Sequence, residues 1–201
     1  AEMPTLYKDK EFDLAGTIIG IVEQEQILPR SKMKPGDQLI SLPSSGLHTN
    51  GYSLARKIIF TQEKLSLESY LTECQATIGE LLLSIHRSYL PLLESYLTSP
   101  DLFGLAHITG GGIAGNLKRI LPENIGARIT LKKTDIPPFF QWLQHLGKLS
   151  DATMRETFNL GTGMVCVVEN SSADKYLNIK GAKCIGEIVA RNQLKDKVEF
   201  I

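Results

Sequence analysis

The chain has 201 residues, of which 42% are hydrophobic and 22% charged, a composition typical of one globular core with at most a small appended piece. Basic and acidic residues number 22 each, so the zero formal charge excludes bulk electrostatic attraction to nucleic acid or anionic membranes. The apolar runs are too short to span a bilayer, and 3 cysteines without a Cys-x-x-Cys pair indicate neither a disulfide framework nor a thiolate metal site. We therefore expect a cytoplasmic protein.

The predicted elements alternate between strands and helices. Small and β-branched residues from Phe12 to Val22 predict one long strand, and the turn signal Pro35-Gly36-Asp37 predicts a domain boundary. Further strands are predicted at Gln38 to Leu42, Leu102 to Ile108, Ile125 to Leu131, Gly163 to Val168, Cys184 to Val189 and Val198 to Ile201. Helices are predicted at Tyr52 to Phe60, Ile78 to Leu97 with a kink or break at Pro91, Asn116 to Leu121 and Pro137 to Leu146, with Ser150 as an N-cap. This order predicts an α/β fold with a mixed β-sheet flanked by helices.

A first glycine-rich loop, Ser44-Ser-Gly-Leu-His-Thr-Asn-Gly-Tyr52, joins a predicted strand to a predicted helix. Such a turn leaves backbone N–H groups unpaired at the positive end of the helix dipole, which suits a phosphate or carboxylate. The same residues could equally form an ordinary capped turn, in which serine and asparagine satisfy backbone groups.

A second glycine-rich loop, His107-Ile-Thr-Gly-Gly-Gly-Ile-Ala-Gly-Asn116, also runs from strand to helix. Three successive glycines are costly in conformational entropy, which indicates backbone that approaches a ligand closely or adopts a positive φ. The loop lacks the Gly-Lys-Ser/Thr ending of a Walker loop and the spacing of a Rossmann fingerprint. Two such loops in one short domain favour anion binding more strongly than either loop does alone.

The four histidines differ in their surroundings. His48 and His107 each lie in a glycine-rich loop, where an imidazole can act as proton donor, base or phosphate partner. His86 and His145 lie in predicted helices and are interpreted as ordinary helix residues. Zinc is the weaker alternative for the loop histidines, because no His-x-x-x-His spacing or cysteine partner accompanies them, and we predict no metal site. The turn from Phe158 to Gly163, taken alone, is most simply a helix stop.

Several motifs, taken in order, closely resemble those of the phosphoribosylformylglycinamidine cyclo-ligase family, also called aminoimidazole ribonucleotide synthetases. They are Ala1-Glu-Met-Pro4, Asp13-Leu-Ala-Gly16, Ser44 to Leu54 with Arg56-Lys57, His107 to Gly112, Arg119-Ile-Leu-Pro122 and Thr157 to Gly161. The resemblance runs nearly end to end, and the motifs are highly specific as a set. Gly115, Lys118 and Ser84-Ile85 depart from the family's usual pattern, so no role is assigned to position 115.

The resemblance implies a two-domain subunit that forms a homodimer. Family members usually carry Gly-Gly-Glu-Thr directly before Ala-Glu-Met-Pro, so residues 1–35 would be the last strand and linker of an N-terminal domain. That domain would supply most of the ATP and Mg²⁺ site, and residues 36–201 would be the C-terminal α/β substrate domain. We expect this chain alone to be inactive.

The implied reaction is ATP-dependent closure of formylglycinamidine ribonucleotide to aminoimidazole ribonucleotide. His48 and His107 would contact the reacting formamide or phosphate. The residues expected to bind the phosphorylated ribonucleotide are Ser44, Ser45, Gly46, Asn50, Thr109, Gly110, Gly111, Gly112 and Asn159. The alternatives are another superfamily enzyme, such as formylglycinamidine ribonucleotide synthetase or a selenophosphate or thiamine-phosphate enzyme, and a non-catalytic phosphate-binding module.

Overall fold

The computed structural model describes residues 16–201. The strands are β1 (Gln38–Pro43), β2 (Tyr70–Leu71), β3 (Ala76–Thr77), β4 (Leu102–His107), β5 (Ile125–Ile129), β6 (Thr162–Val168), β7 (Lys183–Ala190) and β8 (Val198–Phe200). The α-helices are α1 (Tyr52–Arg56), α2 (Ile78–Leu82), α3 (Leu90–Leu93), α4 (Gly112–Ile120), α5 (Pro138–Leu146), α6 (Asp151–Thr157) and α7 (Ala173–Leu177). A π-helical segment, Lys57–Gln62, continues α1.

Six of these strands form one sheet in the order β4-β6-β1-β7-β5-β8. Neighbouring strands are antiparallel except β5 and β8, which are parallel. The short strands β2 and β3 pair separately as a two-stranded sheet. The predicted α/β fold with a mixed sheet is therefore confirmed, and most of the predicted strands are present within a few residues of their expected bounds.

Alternating side chains bury both faces of the sheet. Val165 and Val167 of β6 join a core that also contains Leu117 of α4, whereas Cys166 and Val168 point into a core with Tyr176 of α7. Each face is thus covered by helices, which is why these strands are apolar on both sides. A third apolar cluster, built mainly from α1, α2, α5 and α6, lies beyond the sheet.

The helical segment predicted from Ile78 to Leu97 is divided into two short helices, but the break lies at residues 83–89 and not at Pro91. Helix α2 begins at a capping box between Thr77 and Glu80 and ends at Leu82, and α3 begins only at Leu90. Pro91 lies in the first turn of α3, where its missing N–H costs nothing, so it starts a helix instead of kinking one. Residues 83–89 consequently form a connection without helix, and His86 belongs to that connection.

The strand predicted from Phe12 to Val22 is absent over the part that the structure describes. Residues 16–22 have no regular secondary structure, and Ile18, Ile19 and Ile21 are almost fully exposed. A strand needs a neighbour to satisfy its backbone N–H and C=O groups, and residues 16–22 pair with no strand among residues 16–201. The predicted positions 12–15 and the first motif, Ala1 to Pro4, lie outside the described residues.

None of the helices formed by residues 16–201 combines the length and the apolar character needed to cross a bilayer.

Candidate functional site

The candidate site lies at one end of three adjacent strands. β6 runs between β4 and β1 and is antiparallel to both, so its first residues meet the last residues of its two neighbours. His107, the last residue of β4, is paired with Met164, and Pro43, the last residue of β1, is paired with Thr162. Both glycine-rich loops therefore begin at the same edge of the sheet.

A turn between α6 and β6 holds the first loop in place through Asn159. The buried carboxamide of Asn159 donates to the carbonyl oxygen of Gly46 at 2.8 Å and accepts the hydroxyl of Ser44 at 3.0 Å. The backbone N–H of Ser44 donates to the carbonyl of Gly161 at 2.8 Å. Ser44 and Asn159 thus fix the loop's path, and the turn that looked like a simple helix stop is part of the site's support.

The second loop is braced by Asn116, which the sequence analysis did not include among the site residues. Its buried side chain donates toward the carbonyl oxygens of Thr109, Gly110 and Gly112, and it accepts the Thr109 hydroxyl at 2.9 Å. The sequence spacing could have identified Asn116 as a site residue. An asparagine four residues after the first glycine of a helix can reach back to the carbonyl groups of the preceding loop.

Gly111 and Gly112 have the conformations that three successive glycines indicate. Their φ angles are 90° and 62°, in the left-handed region that other residues rarely adopt. A Cβ at Gly112 would also overlap the carbonyl oxygen of Arg155, because α4 and α6 approach closely there. Gly110 and Gly111 are exposed directly before α4, whereas Gly112 is buried and its N–H donates to the carbonyl of Thr109 at 3.1 Å.

The two loops approach each other at Asn50. Its side-chain oxygen lies 3.5 Å from where a Cβ of Gly110 would stand, although 60 residues separate the two positions. Ser45, which also belongs to the first loop, is exposed and donates its hydroxyl to the carbonyl of Ile85 at 2.6 Å. The structure thus brings together residues from both loops that were predicted to bind one ligand.

Three histidines meet between the loops. The ring of His48 lies against the ring of His86 with centroids 3.8 Å apart, and Nε2 of His86 is 3.3 Å from Nε2 of His107. His86 was interpreted from the sequence as an ordinary helix residue, and this was wrong because the helix ends before it. His145 lies in α5, as predicted, away from this cluster.

His48 and His107 lie in an environment that disfavours a positive charge on their rings. Burial, and then the charges of His86, His107 and Arg87, lower the pKa of His48 to about 4. Partial desolvation of the ring and the neighbouring His86 also lower the pKa of His107, although much of its side chain is exposed. His48 is therefore uncharged at neutral pH. Its Nε2 accepts the backbone N–H of Ser45 at 3.0 Å.

Tyr89 and Gly163 pack against the histidine cluster. The hydroxyl of Tyr89 donates to the carbonyl of Pro43 at 2.9 Å, and burial raises the pKa of Tyr89 to about 12. A Cβ at Gly163 would collide with this hydroxyl and would stand 2.6 Å from Cε1 of His48. Gly163 is therefore needed for its lack of a side chain, a requirement that the sequence pattern alone did not reveal.

A cavity of about 220 Å³ opens beside the first loop. Its walls include Ser44, Ser45 and Gly46 of the loop, Ser84 after α2, and the aromatic rings of Phe139 and Phe140 on α5. The loop therefore borders both the histidine cluster and a partly apolar cavity, a combination that is common in small-molecule sites.

Comparison with known proteins identifies relatives over most of the chain. The family model described as AIR synthase related protein, C-terminal domain, matches residues 34–199. The chain is 43% identical over 193 residues to the phosphoribosylformylglycinamidine cyclo-ligase of Geobacillus kaustophilus, covering 94% of this chain and 56% of that protein. The cyclo-ligase of Sorangium cellulosum is 41% identical over 197 residues, covering 94% and 57% of the two chains, and the chloroplastic/mitochondrial cyclo-ligase of Vigna unguiculata is 40% identical over 196 residues, covering 96% and 50%. The chain spans about half the length of these relatives.

Solved structures share the fold at lower identity. Thiamine-monophosphate kinase from Stenotrophomonas maltophilia matches with a TM-score of 0.55 and 16% identity over 89% of this chain and 54% of that chain. The hydrogenase maturation protein HypE from E. coli matches with a TM-score of 0.51 and 21% identity over 84% and 47%. At these identities the likeness supports the architecture alone.

Proposed function

Because this chain belongs to the family described as AIR synthase related protein, C-terminal domain, we propose that it forms the substrate-facing part of a phosphoribosylformylglycinamidine cyclo-ligase. The observation that carries the proposal is the meeting of both glycine-rich loops, with His48 and His107, at one edge of the sheet. Relatives with this name align along nearly the whole chain at 40% to 43% identity. The substrate would be formylglycinamidine ribonucleotide and the product aminoimidazole ribonucleotide.

The second loop would bind the ribonucleotide phosphate. Its exposed glycines lie at the N-terminus of the nine-residue helix α4, where unpaired N–H groups and the helix dipole stabilise an anion. Thr109 and Gly110 to Gly112 would form this part of the site, while Ser45, Gly46 and Asn50 would contact the substrate from the first loop. Ser44 and Asn159 would act mainly by fixing that loop, because their side chains already bond to each other and to backbone groups.

The proposed chemistry closes a ring in two steps. The formamide oxygen of the substrate attacks the γ-phosphate of ATP, which gives an imidate phosphate and releases ADP. The amidine nitrogen then attacks the carbon of the former formamide group. The bond from this carbon to the phosphorylated oxygen breaks, and inorganic phosphate leaves as the nitrogen loses a proton. His48 and His107 would contact the formamide or the departing phosphate and hold the two reacting groups close together, which is the main requirement of an intramolecular closure.

ATP and Mg²⁺ would be held mainly by the part of the subunit that this chain does not contain. Mg²⁺ prefers oxygen ligands, chiefly carboxylates and water. Among residues 16–201, the group of three metal-ligating side chains that lie together consists of histidines and includes no carboxylate. These three histidines therefore do not fit Mg²⁺.

The domain arrangement completes the proposal. Residues 1–35 would end an ATP-binding N-terminal domain and its linker, residues 36–201 would form the substrate domain, and the intact subunit would form a homodimer in the cytoplasm. The free thiols of Cys74, Cys166 and Cys184 are compatible with a reducing compartment.

A direct test measures aminoimidazole ribonucleotide formation by the full-length protein that contains this chain. The expected result is ATP-dependent turnover that falls strongly in His107→Ala and His48→Ala, while His145→Ala on the exposed side of α5 remains near wild type. The 201-residue chain alone should form no product. Binding of a ribonucleotide phosphate without any turnover by the full-length protein would favour the non-catalytic phosphate-binding module instead, and normal turnover of a folded His48→Ala variant would remove the role given to that residue.

A further inference from the structure

Three imidazoles from three separate segments lie together at the candidate site. Each of His48, His86 and His107 offers one ring nitrogen, and these ligand atoms all lie within 4.8 Å of one another. Imidazole nitrogen is the ligand that Zn²⁺ takes most readily beside cysteine thiolate, and three histidines with one open position form a known type of zinc site. We propose that His48, His86 and His107 bind Zn²⁺ or a similar first-row divalent ion.

The separation of His86 and His107 already matches such a site. Their Nε2 atoms are 3.3 Å apart. Two nitrogens at about 2.0 to 2.1 Å from a tetrahedral zinc ion are separated by about 3.3 to 3.4 Å. This pair can therefore accept the ion with little movement, by giving up one hydrogen bond between the rings for two bonds to the metal.

The orientation of His86 also suits a metal ligand. Its Nδ1 is 3.0 Å from the carbonyl oxygen of Arg87, which can only accept, so Nδ1 carries a proton and Nε2 is the ring atom that faces His107. A backbone carbonyl that fixes the tautomer in this way is the usual outer partner of a zinc-bound histidine. The guanidinium of Arg87 opposes a cation, but it is directed to the carbonyl of Pro43 at 3.2 Å.

His48 is the third candidate ligand, and one of its ring nitrogens makes no hydrogen bond within the described part of the chain. It is only 4% exposed, and its Nδ1 is buried without a hydrogen-bond partner among residues 16–201. Because Nε2 accepts the amide of Ser45, the proton of the neutral His48 ring lies on Nδ1, and Nδ1 can bind the ion only after that proton moves to Nε2. The three ligand atoms lie within 4.8 Å of one another, so any separation from His48 that is wider than a tetrahedral edge of about 3.3 to 3.4 Å must close when the ion binds.

Metal binding by His48 would change the hydrogen bond at Ser45, whichever nitrogen is used. The backbone N–H of Ser45 now donates to Nε2 of His48. If Nε2 binds the ion, its lone pair is no longer available to Ser45. If Nδ1 binds the ion, the ring proton must move to Nε2, which then cannot accept. The amide of Ser45 is therefore a reporter of the third ligand.

The exposed side of the cluster leaves room for a fourth ligand. His107 is exposed and His86 half-buried, so water or a small anion could complete the tetrahedron. If the proposed function is correct, Zn²⁺ would occupy two imidazoles that the cyclisation needs and would therefore inhibit turnover. That consequence rests on the proposed function, whereas binding of the ion does not.

The test titrates Zn²⁺ into metal-depleted protein and measures the binding by calorimetry. The absorption spectrum of the protein with Co²⁺ in place of Zn²⁺ reports whether the coordination is tetrahedral. His86→Ala should weaken Zn²⁺ binding by at least about tenfold, since even changes to outer partners of zinc ligands cost 10- to 100-fold. The matched control is His145→Ala, which removes an exposed histidine outside the cluster. Equal affinity in these two variants would overturn the proposal.

Folding defects are separated from ligand loss by His107→Ala, whose side chain is exposed. Without metal, this variant should have the wild-type melting temperature. Its affinity for Zn²⁺ should fall by a factor similar to that of His86→Ala. In the wild-type protein, the amide resonance of Ser45 should shift on addition of Zn²⁺. An unchanged Ser45 resonance at saturating Zn²⁺ would contradict His48 as the third ligand. None of these readouts depends on turnover, so they remain valid if the proposed function fails.

Discussion

The side-chain amide of Asn159 donates to the carbonyl oxygen of Gly46 at 2.8 Å, across 113 residues of sequence. Its oxygen also accepts from the Ser44 hydroxyl and from the backbone N–H of Gly161. One buried carboxamide therefore ties the first glycine-rich loop to the turn that begins β6.

Asn159→Ala should lower the free energy of unfolding by about 1 to 3 kcal/mol, because it leaves buried partners unsatisfied. It should also increase hydrogen exchange at residues 44–48, since the loop loses its tether. Urea denaturation and amide exchange measure the two effects. Asn170→Ala, at an exposed position, is the matched control and should change neither. A variant with normal stability and normal loop exchange would show that Asn159 is not a support.

Gly163→Ala should destabilise the protein by about 1 to 3 kcal/mol, because the new methyl group would overlap the Tyr89 hydroxyl and crowd His48. Gly115→Ala is the opposite case. No atom lies within 4 Å of its expected Cβ, and the position is inside α4, so alanine should stabilise by about 0.5 to 1 kcal/mol. Denaturation midpoints of the two variants should therefore move in opposite directions, and a shared direction would contradict the steric account.

Asn116→Ala should loosen the second loop. The change removes the side-chain N–H donor shared by three loop carbonyls and the oxygen that accepts the Thr109 hydroxyl. The free energy of unfolding should fall by about 1 to 3 kcal/mol. If this loop binds phosphate, the variant should also bind inorganic phosphate more weakly, as measured by calorimetry under conditions where the protein remains folded. Asn178→Ala, at an exposed position after α7, provides the control.

Stability at acidic pH should depend on Asp101. Burial by itself would raise the pKa of Asp101, but hydrogen bonds from Ser99, Tyr176, Lys175 and Ser172 outweigh it and lower the pKa to about 2. Because the pKa is lower in the folded than in the unfolded state, the stabilisation is present above the ordinary pKa of 3.8 and is lost as the pH falls toward 2.

The matching experiment compares urea midpoints at several pH values between about 5 and 2. Asp101→Asn should lower stability near neutral pH and should flatten the loss of stability below pH 3.8, where the wild type weakens. Asp196→Asn, at an exposed position, should retain the wild-type slope. An Asp101→Asn variant whose stability falls as steeply as that of the wild type would exclude this carboxylate as the cause.

The sequence predicted the sheet better than the site. Runs such as Gly163 to Val168 are apolar at every position, so a buried strand was the simplest interpretation, and both glycine-rich loops were correctly placed between strand and helix. Local pattern was sufficient there because the same residues determine both the element and its burial.

His86 shows why the rest could not be predicted. The leucines on both sides of it recur at helical spacing, but α2 ends at Leu82 and α3 begins at Leu90, with Pro91 in its first turn. Its contacts with His48 and His107 depend on where residues 83–89 cross the sheet edge, which is a tertiary property. The strand predicted from Phe12 to Val22 is a related case, because residues 16–22 have no partner strand among residues 16–201 and local β propensity does not supply one.

The position of β6 in the sheet also affects how the site forms. β6 pairs with β1 and β4 on its two sides, yet it follows both of them in the chain. Pairing β1 with β6 therefore closes a loop of more than a hundred residues, the kind of long-range contact that slows folding. During synthesis, His48, His86 and His107 would leave the ribosome well before the strand that brings their segments together, and we expect these imidazoles to gather only in the last stage of folding.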